Sequence, residues 1–205
     1  MKKDSIAYVV LFTFIACVVF VLPLAVANEV TRPLVEANKL FALRSSLLDA
    51  FNIGYQTPED AEAEYSKSIR ETAELNGSPI AWAATIDGAE YRAVRRSGPG
   101  LWGTITVIVA ADPLGERVRG LQIVDQIETP GLGGRIGEPW FIEQFREKKV
   151  GERGLRADQS GSGDGELDKE SPRVDAIAGA SRTSDFFVAI VNGAIADIKS
   201  GGGAP

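Results

Sequence analysis

The sequence predicts an α+β protein: one N-terminal transmembrane helix, then a single domain with a mainly antiparallel sheet and flanking helices. Three observations predict it. Ser5 to Ala27 is a run of 23 residues without a charge. From Ile80 onward, short β-branched runs alternate with turn signals. Phe187, Ile190, Val191, Ala194, Ile195 and Ile198 recur at helical spacing near the end of the chain.

The apolar run would be about 34 Å long as a helix, enough to cross a hydrocarbon core of about 30 Å. Ala25-Val26-Ala27 imitates a signal-peptidase site. A signal peptide's apolar core is shorter, about 7–15 residues, so a retained anchor is expected. Lys2 and Lys3 precede the run, and the charges after it are mixed. That bias places the N-terminus in the cytoplasm and the remaining chain on the other side. Pro23 lies late in the run, where a membrane helix tolerates it.

Asn28 to about Phe51 reads as a further helix, with Pro33 in its first turn and Leu34, Leu40, Phe41, Leu47, Leu48 and Phe51 at helical spacings. It is either a stalk or partner-facing helix, or a helix packed on its own domain. Gln56 to Leu75 is polar and rich in Glu, which predicts a solvated helix or an exposed connector. Ile80–Thr85 and Glu90–Arg95 flank Asp87-Gly88 as a hairpin. Gly103–Ala110 is a buried strand, Asp112-Pro113 and Gly115 make a turn, and Arg117–Asp125 is the next strand. Pro139 opens a short helix with Trp140, Phe141, Gln144 and Phe145 on one side. Gly154 to Pro172 reads as a loop, and Ser184 to about Lys199 as the last helix. The division is thus 1–27 for the cytoplasmic N-terminus and membrane helix, 28–79 for a helical stalk and connector, 80–200 for the folded domain and 201–205 for a flexible tail.

Composition then narrows the chemistry. The chain of 205 residues has no His and one Cys, Cys17, inside the apolar run. This removes His-based catalysis, His-ligated or Cys-ligated metal and internal disulfides. Any chemistry must then come from carboxylates, hydroxyls, backbone groups or a borrowed cofactor, and no metal site is expected. A pI near 4.9 argues against nucleic acid as a partner. No G-x-G-x-x-G follows a strand, so no dinucleotide site is expected.

Three segments could hold a ligand. Glu128-Thr129-Pro130-Gly131-Leu132-Gly133-Gly134 follows a strand, and its glycines let backbone approach a flat ligand; an ordinary turn reads the same way. Asp175 to Ser184 runs into the last helix. Its hydroxyls, Ser181 and Thr183, are either plain N-caps or neighbours of a phosphate at the helix N-terminus. Trp102, in Gly100-Leu101-Trp102-Gly103, is either a core residue or a stacking wall.

The order GLWG, ETPGLGG, DAIAGAS after a membrane anchor resembles the covalent-FMN subunits of respiratory sodium pumps. The opening MKKDSIAYVVLF is similar to the C subunits of sodium-translocating NADH:quinone oxidoreductases; the G subunits of Rnf electron-transport complexes share the later motifs. The resemblance implies FMN bound covalently through its phosphate to Ser181, with Thr183 as the fallback. Ser181 stands where Thr is usual, and Ala178 where Ser or Thr is usual. Gly179 and Ala180 match the motif's small pair. Glu128, Thr129, Leu132 and Gly133 would line the isoalloxazine ring, with Trp102 beside them. Asp175 would be read by a magnesium-dependent flavin transferase that takes FMN from FAD. The implied protein is an electron-transfer subunit of a redox-driven ion-translocating complex, without a complete active site of its own. It would sit single-pass in the bacterial inner membrane among lipid and other membrane subunits, its FMN domain on the periplasmic side. The alternatives are the Rnf G subunit, or an anchored flavin-binding or scaffold domain without covalent FMN.

Overall fold

The structure, a computed structural model, describes residues 6–75, 78–160 and 168–201. Lys2 and Lys3, the last four residues of the expected tail and the middle of the expected 154–172 loop lie outside the described residues. The chain divides into two compact units, Met1–Ala42 and Leu43–Pro205.

Helix α1 is Ile6–Phe51 and includes both Pro23 and Pro33. The two helices expected from the sequence are therefore one, and Pro33 is interior rather than in a first turn. The N-terminal part of α1 is long and apolar enough to cross a membrane, and its apolar window has no buried residues. Leu34 and Leu40 are exposed, whereas Leu47, Leu48, Ala50 and Phe51 are fully buried. Packing on the chain's own domain is thus the outcome for the last turns of α1.

The second unit continues with α2 (Pro58–Ser68), whose first turn is capped by the Thr57 hydroxyl accepting from the Asp60 N–H at 3.1 Å. Strand β1 (Ile69–Leu75) follows directly, in the stretch expected as solvated helix or connector. Its sequence IRETAEL is polar because β1 is an edge strand with only Ile69 well buried. The folded domain accordingly begins earlier than residue 80.

Strands β2 (Ser78–Ile86), β3 (Ala89–Pro99), β4 (Thr104–Ala111), β5 (Arg117–Asp125) and the two-residue β6 (Lys148–Lys149) complete a six-stranded antiparallel sheet in sequential order. Asp87 and Gly88 have φ of 52° and 81°, the left-handed pair that a two-residue hairpin loop requires. β4 reads as a continuous apolar run because both its faces are covered. Ile105, Val107 and Val109 enter the core under the last helix, while Ile108 and Ala110 enter the core formed with α1 and α2. A bulge in β5 opposite Ala110/Ala111 lets Val118 share a core with Leu121 despite the odd spacing.

After β5 come a 3-10 turn (Gly133–Gly137) and α3 (Pro139–Glu143), shorter than the expected helix. Phe141, Phe145 and Phe187 pack edge to face, with ring centroids 5.4–5.6 Å apart. The expected 154–172 loop contains β7 (Arg156–Asp158), paired in parallel with β8 (Arg173–Asp175). Strands of three residues are too short to show periodicity. Helix α4 (Ser181–Lys199) starts three residues earlier than expected and lays its apolar stripe on β3 and β4.

Candidate functional site

An antiparallel meander returns alternate loops to one end of its sheet. The end of β3, the start of β4 and the end of β5 therefore lie together, as the pairs Pro99↔Thr104 and Thr106↔Asp125 record. The loop into α4 reaches the same place. Between these segments is a cavity of about 590 Å³, lined by Leu101, Trp102, Glu128, Thr129, Leu132, Gly133 and Gly179 through Thr183. That volume is within the ordinary range for a small-molecule site, about 300–1,000 Å³.

The cavity brings together Trp102, Glu128, Thr129, Leu132, Gly133, Gly179, Ala180, Ser181 and Thr183. Asp175 is not in its lining. Its backbone N–H donates to Gln144 Oε1 at 2.7 Å, the Gln144 amide donates back to the Asp175 carbonyl at 3.3 Å, and its buried Oδ2 has no partner among the described residues. Two lining residues were missed by the sequence reading, Leu101 and Arg182. Arg182 follows the expected phosphate-bearing residue, and a cation next to an anion site was a usable signal.

Neither hydroxyl caps α4. Its N-cap is Ala180, which makes no side-chain cap bond. Ser181 is the first helical residue and is exposed; Thr183 is only 1% exposed and donates its hydroxyl proton to Glu128 Oε2 at 2.8 Å. No protein acceptor is found among the described residues for the N–H groups of Ser181, Arg182 and Thr183, while Ser184 N–H returns to the Ala180 carbonyl at 3.0 Å. Those three open donors are the free first turn of a 19-residue helix. Gly179 has φ +79°, which turns the chain from β8 into α4 beside Leu132. Ser184 holds this turn from inside: its Oγ accepts from the Ile177 N–H at 3.0 Å and donates to the Ala180 carbonyl at 3.1 Å.

The walls are apolar and open. Trp102 is 69% exposed and Leu132 47%, so Trp102 is not a core residue. The carboxylate of Glu128 is beneath them, 5% exposed. Its Oε1 accepts from the N–H groups of Leu101 and Trp102 at 2.8 and 3.0 Å.

An FMN group suits this donor set. Open N–H groups and an exposed hydroxyl at one lip, with the exposed Arg182 on the same turn, match a phosphate, and the apolar walls match a flat ring.

Known proteins resemble part of this chain. Residues 100–196 match the FMN-binding domain family. The chain is 44% identical over 88 residues to the C subunit of the Na(+)-translocating NADH-quinone reductase of Neisseria meningitidis serogroup A, a match covering 42% of this chain and 33% of that protein. The C subunit of the Pasteurella multocida reductase is 36% identical over 92 residues, covering 43% and 34%. These matches span about a third of the length of those curated relatives. The crystal structure of the Parabacteroides distasonis C subunit superposes with a TM-score of 0.66 at 21% identity, covering 82% of this chain and 95% of that one. The Shewanella oneidensis NqrC structure gives 0.57 at 19% identity, covering 72% and 87%. At these identities the two structures speak to the fold. Residues 100–196 of this chain are thus similar to an FMN-binding domain, and the chain resembles C subunits of Na(+)-translocating NADH-quinone reductases in sequence over part of its length and in fold.

Proposed function

We propose that this chain is a membrane-anchored electron-transfer subunit of a sodium-translocating NADH:quinone oxidoreductase, carrying FMN tied through its phosphate to Ser181. One observation carries the assignment of the attachment residue. Ser181 is exposed at the lip of the cavity, whereas the Thr183 hydroxyl is buried and its proton is engaged by Glu128.

When bound, FMN supplies reversible uptake and release of electrons. The chain's own residues do the rest. The open N–H groups at the start of α4 and the Arg182 guanidinium hold the phosphate charge. Leu101, Trp102 and Leu132 keep water from the ring, and Gly179 and Ala180 leave room for the ribityl chain. Ser181 Oγ would hold the FMN phosphate as a phosphoester, made from FAD with AMP as the leaving group carrying off the hydroxyl proton. A magnesium-dependent transferase reading the segment from Asp175 performs that step. The apolar part of α1 anchors the protein in the inner membrane, with the FMN domain on the periplasmic side. NADH oxidation, quinone reduction and the sodium path then belong to partner subunits.

Intact-mass measurement and peptide mapping of the native full-length chain test this. The expected result is one added FMN on the peptide containing Ser181, with flavin fluorescence on a denaturing gel that is lost in Ser181→Ala and kept in Thr183→Ala. The opposite pattern moves the attachment to Thr183, and an unmodified mass removes the covalent flavin.

A further inference from the structure

Glu128 has an arrangement that holding two loops together does not explain. Its side chain is 5% exposed, and no Lys or Arg among the described residues pairs with it. Oε1 takes two backbone N–H groups, and Oε2 takes the Thr183 hydroxyl. Two glycines make space for it. A Cβ at Gly100 would stand 2.5 Å from Oε1, and one at Gly133 would stand 2.7 Å from Oε2 and 2.7 Å from Thr183 Oγ1. The neutral amide of Gln has the same shape. Its oxygen could accept from the Leu101 and Trp102 N–H groups, and its NH2 could donate to Thr183 Oγ1. Position alone therefore does not require a charge, and a buried charge without a counter-ion is costly to keep.

We propose that Glu128 is a positioning residue that also acts through its charge. Fixed and negative at the wall of the cavity, that charge holds the reduction potential of the bound flavin down. This rests on the reading of the cavity as an FMN site. Two-electron reduction with uptake of one proton adds one net negative charge to the flavin. A carboxylate facing the same cavity raises the energy of that added charge. Its hydrogen bonds meanwhile tie the Trp102 loop to the first turn of α4, so both walls are set before ligand arrives.

The test uses the full-length protein, wild type, Glu128→Gln and Glu128→Ala, with the mass of each measured first. Midpoint potentials are then titrated with dithionite and redox dyes, and amide exchange is followed at Leu101 and Trp102. Glu128→Gln is expected to move the potential to a more positive value with exchange at both amides unchanged. Glu128→Ala is expected to move it in the same direction and to speed that exchange about tenfold or more. A flavin-loaded Glu128→Gln protein with the wild-type potential overturns the proposal and leaves the FMN site standing. A wild-type chain without flavin overturns both.

Discussion

Arg96 on β3 and Asp197 near the end of α4 form an ion pair across 101 positions of sequence. The Asp197 side chain is 12% exposed and that of Arg96 38%. The guanidinium also lies over Gly193, where a Cβ would stand 2.8 Å from Arg96 Cζ. The pair therefore pins the last helix to the sheet. Asp197→Ala is expected to lower stability by about 1–2 kcal/mol, with the half-exposed Arg96 limiting the loss. Urea unfolding of the protein in detergent measures it.

Phe187 is fully buried and meets Phe141 and Phe145 at 5.4 and 5.5 Å. It closes the core beneath the first turns of α4. Phe187→Ala should cost about 3–5 kcal/mol, from lost burial and an unfilled cavity. Thermal unfolding followed by near-ultraviolet circular dichroism would show it; a loss below about 1 kcal/mol would mean that the cluster collapses to fill the space.

Gly133 lies against both partners of the Glu128–Thr183 hydrogen bond. Gly133→Ala should separate them, costing about 1–3 kcal/mol and reducing the fraction of chains carrying FMN. The added mass of the purified variant reads that fraction. Full loading would show that the bond is dispensable for attachment.

Tyr65 is 7% exposed and donates to Glu71 Oε1 at 3.0 Å. Burial, and then the bond to Glu71, push its hydroxyl from the ordinary 10.0 up to about 12. The unfolded chain would lose this proton first, so the stability it contributes is intact below pH 10 and is lost as pH rises towards 12. Tyr65→Phe should flatten the fall in stability over that window. Spectrophotometric titration of the phenolate band checks the shifted group directly.

The strands from Ile80 to Asp125 were legible because their alternation and their turn residues agree. Asp87-Gly88 adopts the left-handed turn that its composition announces. β1 was hidden because an edge strand needs little apolar surface, so IRETAEL carries a polar helix's composition. β7 and β8 were hidden by brevity. The start of α4 was placed at Ser184 because Ser and Thr are common caps, yet the structure caps the helix with Ala180 and puts Ser184 inside it.

The sequence by itself determined the class of fold, the long apolar helix and the three segments around the cavity, since local spacing and residue type carry that information. Tertiary structure decided what each group in those segments is free to do. Ser181 and Thr183 are equivalent on paper, two hydroxyls two residues apart. Just over half a turn of helix sends Ser181 to the open lip and Thr183 inward to Glu128, a residue 55 positions away. No local rule contains that difference, because it depends on which loop the sheet brings beside the helix. The same closure turns Trp102 outward as a wall and leaves Asp175 beside Gln144 rather than in the cavity.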